Sequence, residues 1–248
     1  MHQSLFVALI GWSGTLFLSV VVLRTLFTGV ARMYPWFFSY VAYVLVSSVM
    51  ALWIHAAHPR AYPGFYWISE AVALSLGIGI SFEMLAKAFA AYDGIRKLAL
   101  GAFRILLAAV VLRLALLAPS VSAGLWIALE RDVRTLQALM LIAISLLCLY
   151  FSITLNRNLI GIVCGYGLFV CCSVINLTLR SHVGSEFQTA WSLLQPLQYC
   201  LCELIWCVSL WKLERPVVVL AIATGTSGVP IKATLQRLRG YLDIRSPA

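Results

Sequence analysis

Seven apolar segments, each long enough to cross a lipid bilayer, occupy most of this chain of 248 residues. A helix needs about 20 mostly apolar residues to span the roughly 30 Å hydrocarbon core of a bilayer. The segments run over residues 4–26, 36–57, 66–91, 98–118, 134–155, 159–180 and 189–211. The sequence therefore predicts an all-α fold, in which residues 1–213 of a polytopic integral membrane protein form a bundle of seven transmembrane helices.

The composition agrees with this fold class. Hydrophobic residues make up 62% of the chain and charged residues 11%, against about 45–50% and about 25% in soluble domains. The net charge of +9 comes from basic residues scattered over short loops, without a basic stripe or a recognition motif. We therefore expect membrane lipid, and not nucleic acid, as the partner of these charges.

Basic residues also predict the orientation, because Lys and Arg in short loops resist translocation. If the N-terminus lies outside, 13 of the 18 Lys and Arg residues fall on the cytoplasmic side. The remainder are Arg60, Arg113, Arg131, Arg134 and Arg180. The prediction is an outer N-terminus, a cytoplasmic C-terminus and a multi-pass protein of the cell membrane. The excess of Arg over Lys, 14 to 4, is typical of a bacterial genome rich in G and C. We therefore expect the membrane to be a bacterial inner membrane.

Residues 214–248 differ in character from the bundle. After a flexible Gly-, Ser- and Thr-containing linker, Ile231, Leu235, Leu238 and Leu242 recur at helical spacing, with basic residues between them. This pattern predicts a short basic amphipathic helix over about residues 230–242, lying on the cytoplasmic membrane surface. A docking segment for a protein partner is the alternative.

Charged residues at membrane depth are costly and need a reason. The third and fourth segments are joined by a short loop, so they should pack antiparallel, with Glu70 level with Arg113. Glu83 lies level with Arg104 and one turn from Lys87. We interpret these residues as structural ion pairs. The alternative places Glu70 in a polar pocket that opens outward.

A polar stripe follows the seventh segment. It consists of Gln188, Ser192, Gln195, Tyr199 and Glu203, spaced by four, three, four and four residues. Such spacing places side chains on one face of a helix. Glu203 would lie near the bilayer centre, where apolar surroundings favour the neutral form of its carboxyl group. The candidate residues for a ligand or ion site are therefore Glu203, Tyr199, Gln195, Ser192 and Glu70. The alternative is that these groups hydrogen-bond between helices and have only a structural role.

The sixth segment carries Gly161 and Gly165 at the spacing that lets a neighbouring backbone approach closely, followed by Gly167. This pattern indicates a tight helix–helix contact.

No catalytic motif is visible, and neither is a metal-ligand pattern. The last segment has no Lys at mid-membrane for a retinal Schiff base, because Lys212 is at its end, and no two histidines lie within the spans to hold a haem. We expect a protein that is not an enzyme and that carries neither retinal nor haem; the sequence indicates no other cofactor.

The helix number and orientation are similar to the gross topology of seven-helix receptors and of the membrane sensing regions of some bacterial kinases. The first hypothesis is a non-enzymatic module of sensor or receptor type, with a small polar site between the third and seventh segments. It rests on the 13-to-5 distribution of basic residues and on the polar face of the seventh segment, which ends near the cytoplasmic tail. A small proton- or cation-coupled transporter that uses Glu203 is the second hypothesis. An accessory subunit, packed beside a larger membrane complex through its helix faces or its tail, is the third.

Overall fold

The computed structural model of the chain describes residues 2–117, 123–151, 153, 155–183 and 185–212. These residues form eight helices and no strand. In chain order the helices are α1 (His2–Thr28), α2 (Val30–Met33), α3 (Pro35–Ala57), α4 (Tyr62–Ala88), α5 (Asp93–Leu117), α6 (Ala123–Tyr150), α7 (Arg157–Val183) and α8 (Ser185–Ser209). The all-α prediction is confirmed for this part of the chain. The tail helix predicted at about 230–242 lies outside the described residues.

Four of these helices are long and apolar enough to cross a membrane. They span Pro35–Ala57, Tyr62–Ala88, Ala128–Tyr150 and Arg157–Leu179. These spans are consistent with a helical, multi-pass membrane protein.

The helix boundaries follow local sequence signals. Gly29 separates α1 from α2. Its φ of +78° is a backbone conformation that residues with a Cβ atom rarely adopt. Pro35 opens α3, where the missing backbone N–H costs nothing. Asn156 precedes α7, and its side-chain oxygen accepts a 2.8 Å hydrogen bond from the Leu159 amide. That contact is an N-cap, which satisfies one of the free donors at a helix start.

The packing order of the helices is a result that the sequence did not provide. Helix α1 packs against α8 and α3, and α3 packs in turn against α4. Helix α7 lies between α6 and α8, while α4 contacts α6 and touches α7. Helix α5 packs against α4 and α6 and leaves much of its apolar surface exposed, including Leu98, Ile105 and Leu116. Helix α5 is therefore peripheral, and α4, α6 and α7 hold the polar interior.

The tight contact predicted for the sixth segment is confirmed between α7 and α8. A Cβ atom at Gly161 would overlap the side chain of Ser209, and one at Gly165 would overlap the Trp206 ring. The indole of Trp206 packs in turn edge-on against Phe37 of α3, with ring centroids 5.2 Å apart. The two glycines thus let α8 place a large aromatic side chain in the core.

The last carbonyl groups of α8, and those of the residues directly after it, receive donors from two other helices. Arg24 of α1 donates to the Trp211 carbonyl at 2.9 Å, and Arg157 of α7 donates to the Val208 carbonyl at 3.0 Å. The buried amide of Asn158 donates to the carbonyls of Ser209 and Lys212. These donors satisfy carbonyls that a helix end leaves without an intrahelical partner.

Replacing Gly165 with Ala should lower the stability of the bundle, because the added methyl group must displace the Trp206 ring. We expect a loss of about 1–3 kcal/mol, typical of overpacked cores, observed as a lower apparent Tm in detergent. Gly101→Ala on α5 is the matched control, since nothing lies within 4 Å of the added atom and Ala is the better helix former. Equal Tm values for the two variants would contradict the α7–α8 contact.

Candidate functional site

Glu70 pairs with a cation on α6 and not with the one predicted on α5. Its carboxylate lies 2.5 Å from the Arg134 guanidinium, while Arg113 pairs with Asp132. The prediction of a Glu70–Arg113 pair is therefore wrong. Matched depth along two neighbouring helices was its basis, but a pair also requires that both side chains face the same interface. Arg113 of α5 reaches Asp132 of α6, and Glu70 of α4 reaches Arg134 of α6, so both side chains point at α6 and not at each other.

Arg134 is the buried centre of this polar cluster, with 4% of its surface exposed. One edge of the guanidinium contacts Glu70 of α4, and its Nε lies 3.2 Å from the carboxylate of Glu130, one turn earlier on α6. Its flat face lies over the Phe169 ring of α7 at 4.7 Å from the ring centroid. Three helices therefore meet at one cation, and two carboxylates share it.

Sequence reasoning missed Glu130 and Arg134 because it started the fifth span at residue 134. Helix α6 begins at Ala123, so both residues lie inside the helix and not in a loop. The signal was present: Glu130, Arg134 and Gln137 are spaced by four and three residues, which places them on one helical face. The charged residues at 130–134 lower the hydropathy of this stretch, so the apolar segment starts later than the helix does.

The face of α6 continues inward to a group of buried aromatic and amide side chains. Gln137 and Tyr166 of α7 are almost fully buried and lie next to each other against Gly77 of α4. A Cβ atom at Gly77 would overlap the Tyr166 hydroxyl, so glycine is required for this approach. Tyr40 of α3 packs edge-on against Tyr166 with centroids 5.7 Å apart. The polar interior thus runs from Glu70 toward α3.

A cavity of about 250 Å³ lies beside the cluster, between α4, α5 and α6. Its walls are mostly apolar, and two carboxylates, Glu70 and Glu130, form the charged part of its lining. The apolar part consists of Trp67, Ala71, Leu74, Ile78, Leu107, Val111, Leu129 and Val133, with Ser75 among them. A concave apolar site with a few convergent polar groups is the usual form of a small-molecule site.

Glu83 has a different partner from the cations predicted for it. Its carboxylate accepts a 3.1 Å hydrogen bond from the Phe37 amide at the start of α3, with the Trp36 amide also contributing. Neither Lys87 nor Arg104 forms an ion pair with Glu83. Lys87 is nevertheless close enough for its charge to act on the Glu83 carboxylate, in line with the predicted proximity of these two residues. Lys87 instead lies over the Tyr34 ring at 5.2 Å from the centroid, and Arg104 is exposed on α5. A helix N-terminus carries free N–H donors and partial positive charge, so it can replace a cation.

The polar stripe of α8 does not line one cavity. Tyr199 packs on Phe169, with centroids 5.6 Å apart, which connects it to the ring beneath Arg134. Gln195 is exposed, and its amide lies beside the Tyr199 hydroxyl. The side chain of Ser192 lies outside the described part of the structure. Of the predicted site residues whose side chains the structure describes, Glu70 and Tyr199 reach the Arg134 cluster, whereas Gln195 and Glu203 do not.

Glu203 faces α1, away from the Arg134 cluster. Its side chain is buried, and its Oε2 atom lies against Gly14, where an added Cβ atom would come within 3.0 Å of it. Within the described residues Glu203 has no ion pair, and Oε2 has no hydrogen-bond donor. Tyr199 therefore faces α7, and Glu203, four residues later in the stripe, faces α1.

The comparisons with known proteins found no relative of this chain. No protein-family model, curated protein or solved structure matches it. Within the described residues, no three His, Cys, Asp or Glu side chains converge as metal ligands.

Removing the buried cation Arg134 should lower the stability of the bundle far more than removing the exposed cation Arg113. Arg134→Met leaves the Glu70 and Glu130 carboxylates without a partner, at a cost of about 3–5 kcal/mol for a buried pair. Arg113→Met breaks a pair whose arginine side chain is 62% exposed, and such pairs contribute about 0–1 kcal/mol. The measurement is the apparent Tm of the purified variants in detergent. A comparable Tm loss in the two variants would contradict the assignment of Arg134 as the central charge.

Proposed function

We propose that this protein is a non-enzymatic, seven-helix membrane module of sensor or receptor type. Its ligand is a small molecule that occupies the cavity between α4, α5 and α6. All seven long helices cross the bilayer in this proposal, with the N-terminus outside and the C-terminus in the cytoplasm of a bacterial cell. The distribution of Lys and Arg among the loops supports this orientation. Membrane lipid contacts the helix faces and the basic tail.

The observation that carries the proposal is the position of the cavity next to the buried cluster. Its charged wall is formed by Glu70 and Glu130, and both carboxylates contact Arg134. Arg134 in turn contacts Phe169 of α7, and Phe169 contacts Tyr199 of α8. A molecule that moves either carboxylate therefore acts on the packing of α4, α6, α7 and α8 together. This continuous set of contacts is what a sensor requires to transmit ligand binding.

The proposal is tested by filling the cavity. Ala71 lines it, so Ala71→Phe should occupy the space and prevent a ligand from binding. Ala102→Phe makes the same change at an exposed position of α5 and is the matched control. The measurement is native mass spectrometry of protein purified from its own membranes. We expect a small molecule bound to the wild type and to Ala102→Phe and lost from Ala71→Phe; equal occupancy in all three, or none in the wild type, would contradict the proposal.

A second candidate function is proton-coupled transport through Glu203. The observation that favours it is the buried Glu203 carboxyl between α8 and α1, without an ion-pair partner among the described residues. A sensor needs no proton pathway. We therefore expect reconstituted wild-type protein to give the same proton flux as Glu203→Gln, measured with a pH-sensitive dye in vesicles under an imposed membrane potential. Wild-type flux that is abolished by Glu203→Gln would favour the transporter over the sensor.

A further inference from the structure

We propose that the ligand of the α4–α5–α6 cavity is a small amphipathic monocation, with a protonated amine held between Glu70 and Glu130 and an apolar body against the cavity walls. This inference rests on the proposed ligand site and specifies its chemistry. It depends on three observations: the count of charges in the cluster, the side of the cluster that faces the cavity, and the composition of the walls.

Among the side chains that the structure describes, the group formed by Arg134, Glu70 and Glu130 has one more acidic than basic member. Arg134 carries one positive charge and contacts both Glu70 and Glu130. Arg113 and Arg131, the nearby basic residues, both pair with Asp132 and leave one surplus positive charge there, but their side chains are 62% and 42% exposed. The surplus negative charge lies on the cavity side, at Glu70 and Glu130. The other polar side chains at the cluster are Tyr40, Tyr166, Tyr199 and Gln137, which bring no cation. An unbalanced negative charge in a site of low polarity is unfavourable, so a bound cation would stabilise this arrangement.

The two signs of charge lie on different sides of the cluster. Glu70 and Glu130 line the cavity, and their side chains are 25% and 16% exposed. Arg134 does not line the cavity, and its side chain is 5% exposed, because it lies behind the carboxylates against Phe169. A molecule in the cavity therefore meets carboxylate oxygens and not the guanidinium. This arrangement favours a cationic hydrogen-bond donor and excludes an anion.

The walls set the size and the remaining character of the ligand. Apart from the two carboxylates and Ser75, the lining side chains are apolar, and Trp67 adds an aromatic one. The volume of about 250 Å³ is at the low end of the range of about 300–1,000 Å³ for ligand pockets. The walls therefore fit a compact hydrophobic body, and an aromatic ring close to Trp67 can stack there.

Three probes of nearly equal shape separate charge from hydrophobicity in the wild-type protein. They are 2-phenylethylamine, a cation at pH 7, 2-phenylethanol, which is neutral, and phenylacetate, an anion. Calorimetric titration of the full-length protein in lipid nanodiscs should show the amine binding about tenfold or more tighter than the alcohol, as expected for hydrogen bonds to a charged group. Phenylacetate should not bind. Equal affinities for the amine and the alcohol, or no binding of the amine, would overturn the inference.

Two matched variants test whether the preference for the amine over the alcohol arises at the cavity. Glu130→Gln removes the surplus charge and leaves the Arg134–Glu70 pair, so the amine should lose its advantage of about tenfold while the alcohol binds as before. Asp132→Asn makes the same change two residues away on α6, outside the cavity lining, and should keep the full preference. An unchanged preference in Glu130→Gln, or its loss in Asp132→Asn, contradicts the assignment. If Glu130→Gln does not fold, the wild-type comparison of the three probes decides alone.

The same titration separates failure of this inference from failure of the proposed function. If the alcohol binds as well as the amine and both are excluded by Ala71→Phe, the cavity is a ligand site without a preference for cations. The proposed function then stands, and the surplus charge is neutralised by a proton. If no probe binds and no molecule accompanies the wild-type protein from its membranes, both the function and the ligand class are wrong.

Discussion

The guanidinium of Arg134 joins three helices at a position from which water is largely excluded. A buried charge is tolerated only when its partners are close and well oriented, and removal of one partner is far more costly than exposure of a surface pair. The contacts of Arg134 with Glu70, Glu130 and Phe169 therefore fix how α4, α6 and α7 face one another. The position of the cavity wall follows from this geometry, because the two carboxylates that bind Arg134 are also the charged part of the lining.

The helix ends of the bundle follow the same requirement for satisfied polar groups. Where the free N–H groups of α3 begin, the Glu83 carboxylate of α4 accepts their hydrogen bonds. Where the carbonyl groups of α8 end, Arg24, Arg157 and Asn158 donate to them. Each contact places a charge or dipole of the favourable sign at a helix terminus. Because hydrocarbon offers no alternative partner, such contacts stabilise the helix pairs that make them.

The sequence was sufficient for the approximate positions of the long helices, apart from the start of α6, and for a tight contact at Gly161 and Gly165 of α7, because apolar length and glycine spacing are local properties. It did not identify α8 as the partner in that contact. It was not sufficient for the partner of Glu70. Depth along a helix can be counted from sequence, but the rotation of each helix and its neighbours depend on contacts distant in the chain. Glu83 shows a second limit: its partner is the N-terminus of α3, and although Pro35 marks where that helix starts, the sequence does not show which side chain approaches it. Arg134 was recoverable in principle from its spacing with Glu130 and Gln137, once the start of α6 was placed correctly.

The contact between Glu83 and the start of α3 also bears on how the protein is made. Both partners lie between residues 35 and 88, in two helices joined by the short connection over residues 58–61. The carboxylate therefore finds its donors within a single hairpin, as soon as α4 has been synthesised. Glu70, on the same helix, can pair with Arg134 only after Arg134 has been synthesised, 64 residues later in the chain. One acidic residue of α4 is thus satisfied by its own hairpin, whereas the other stays unpaired until the second half of the chain arrives.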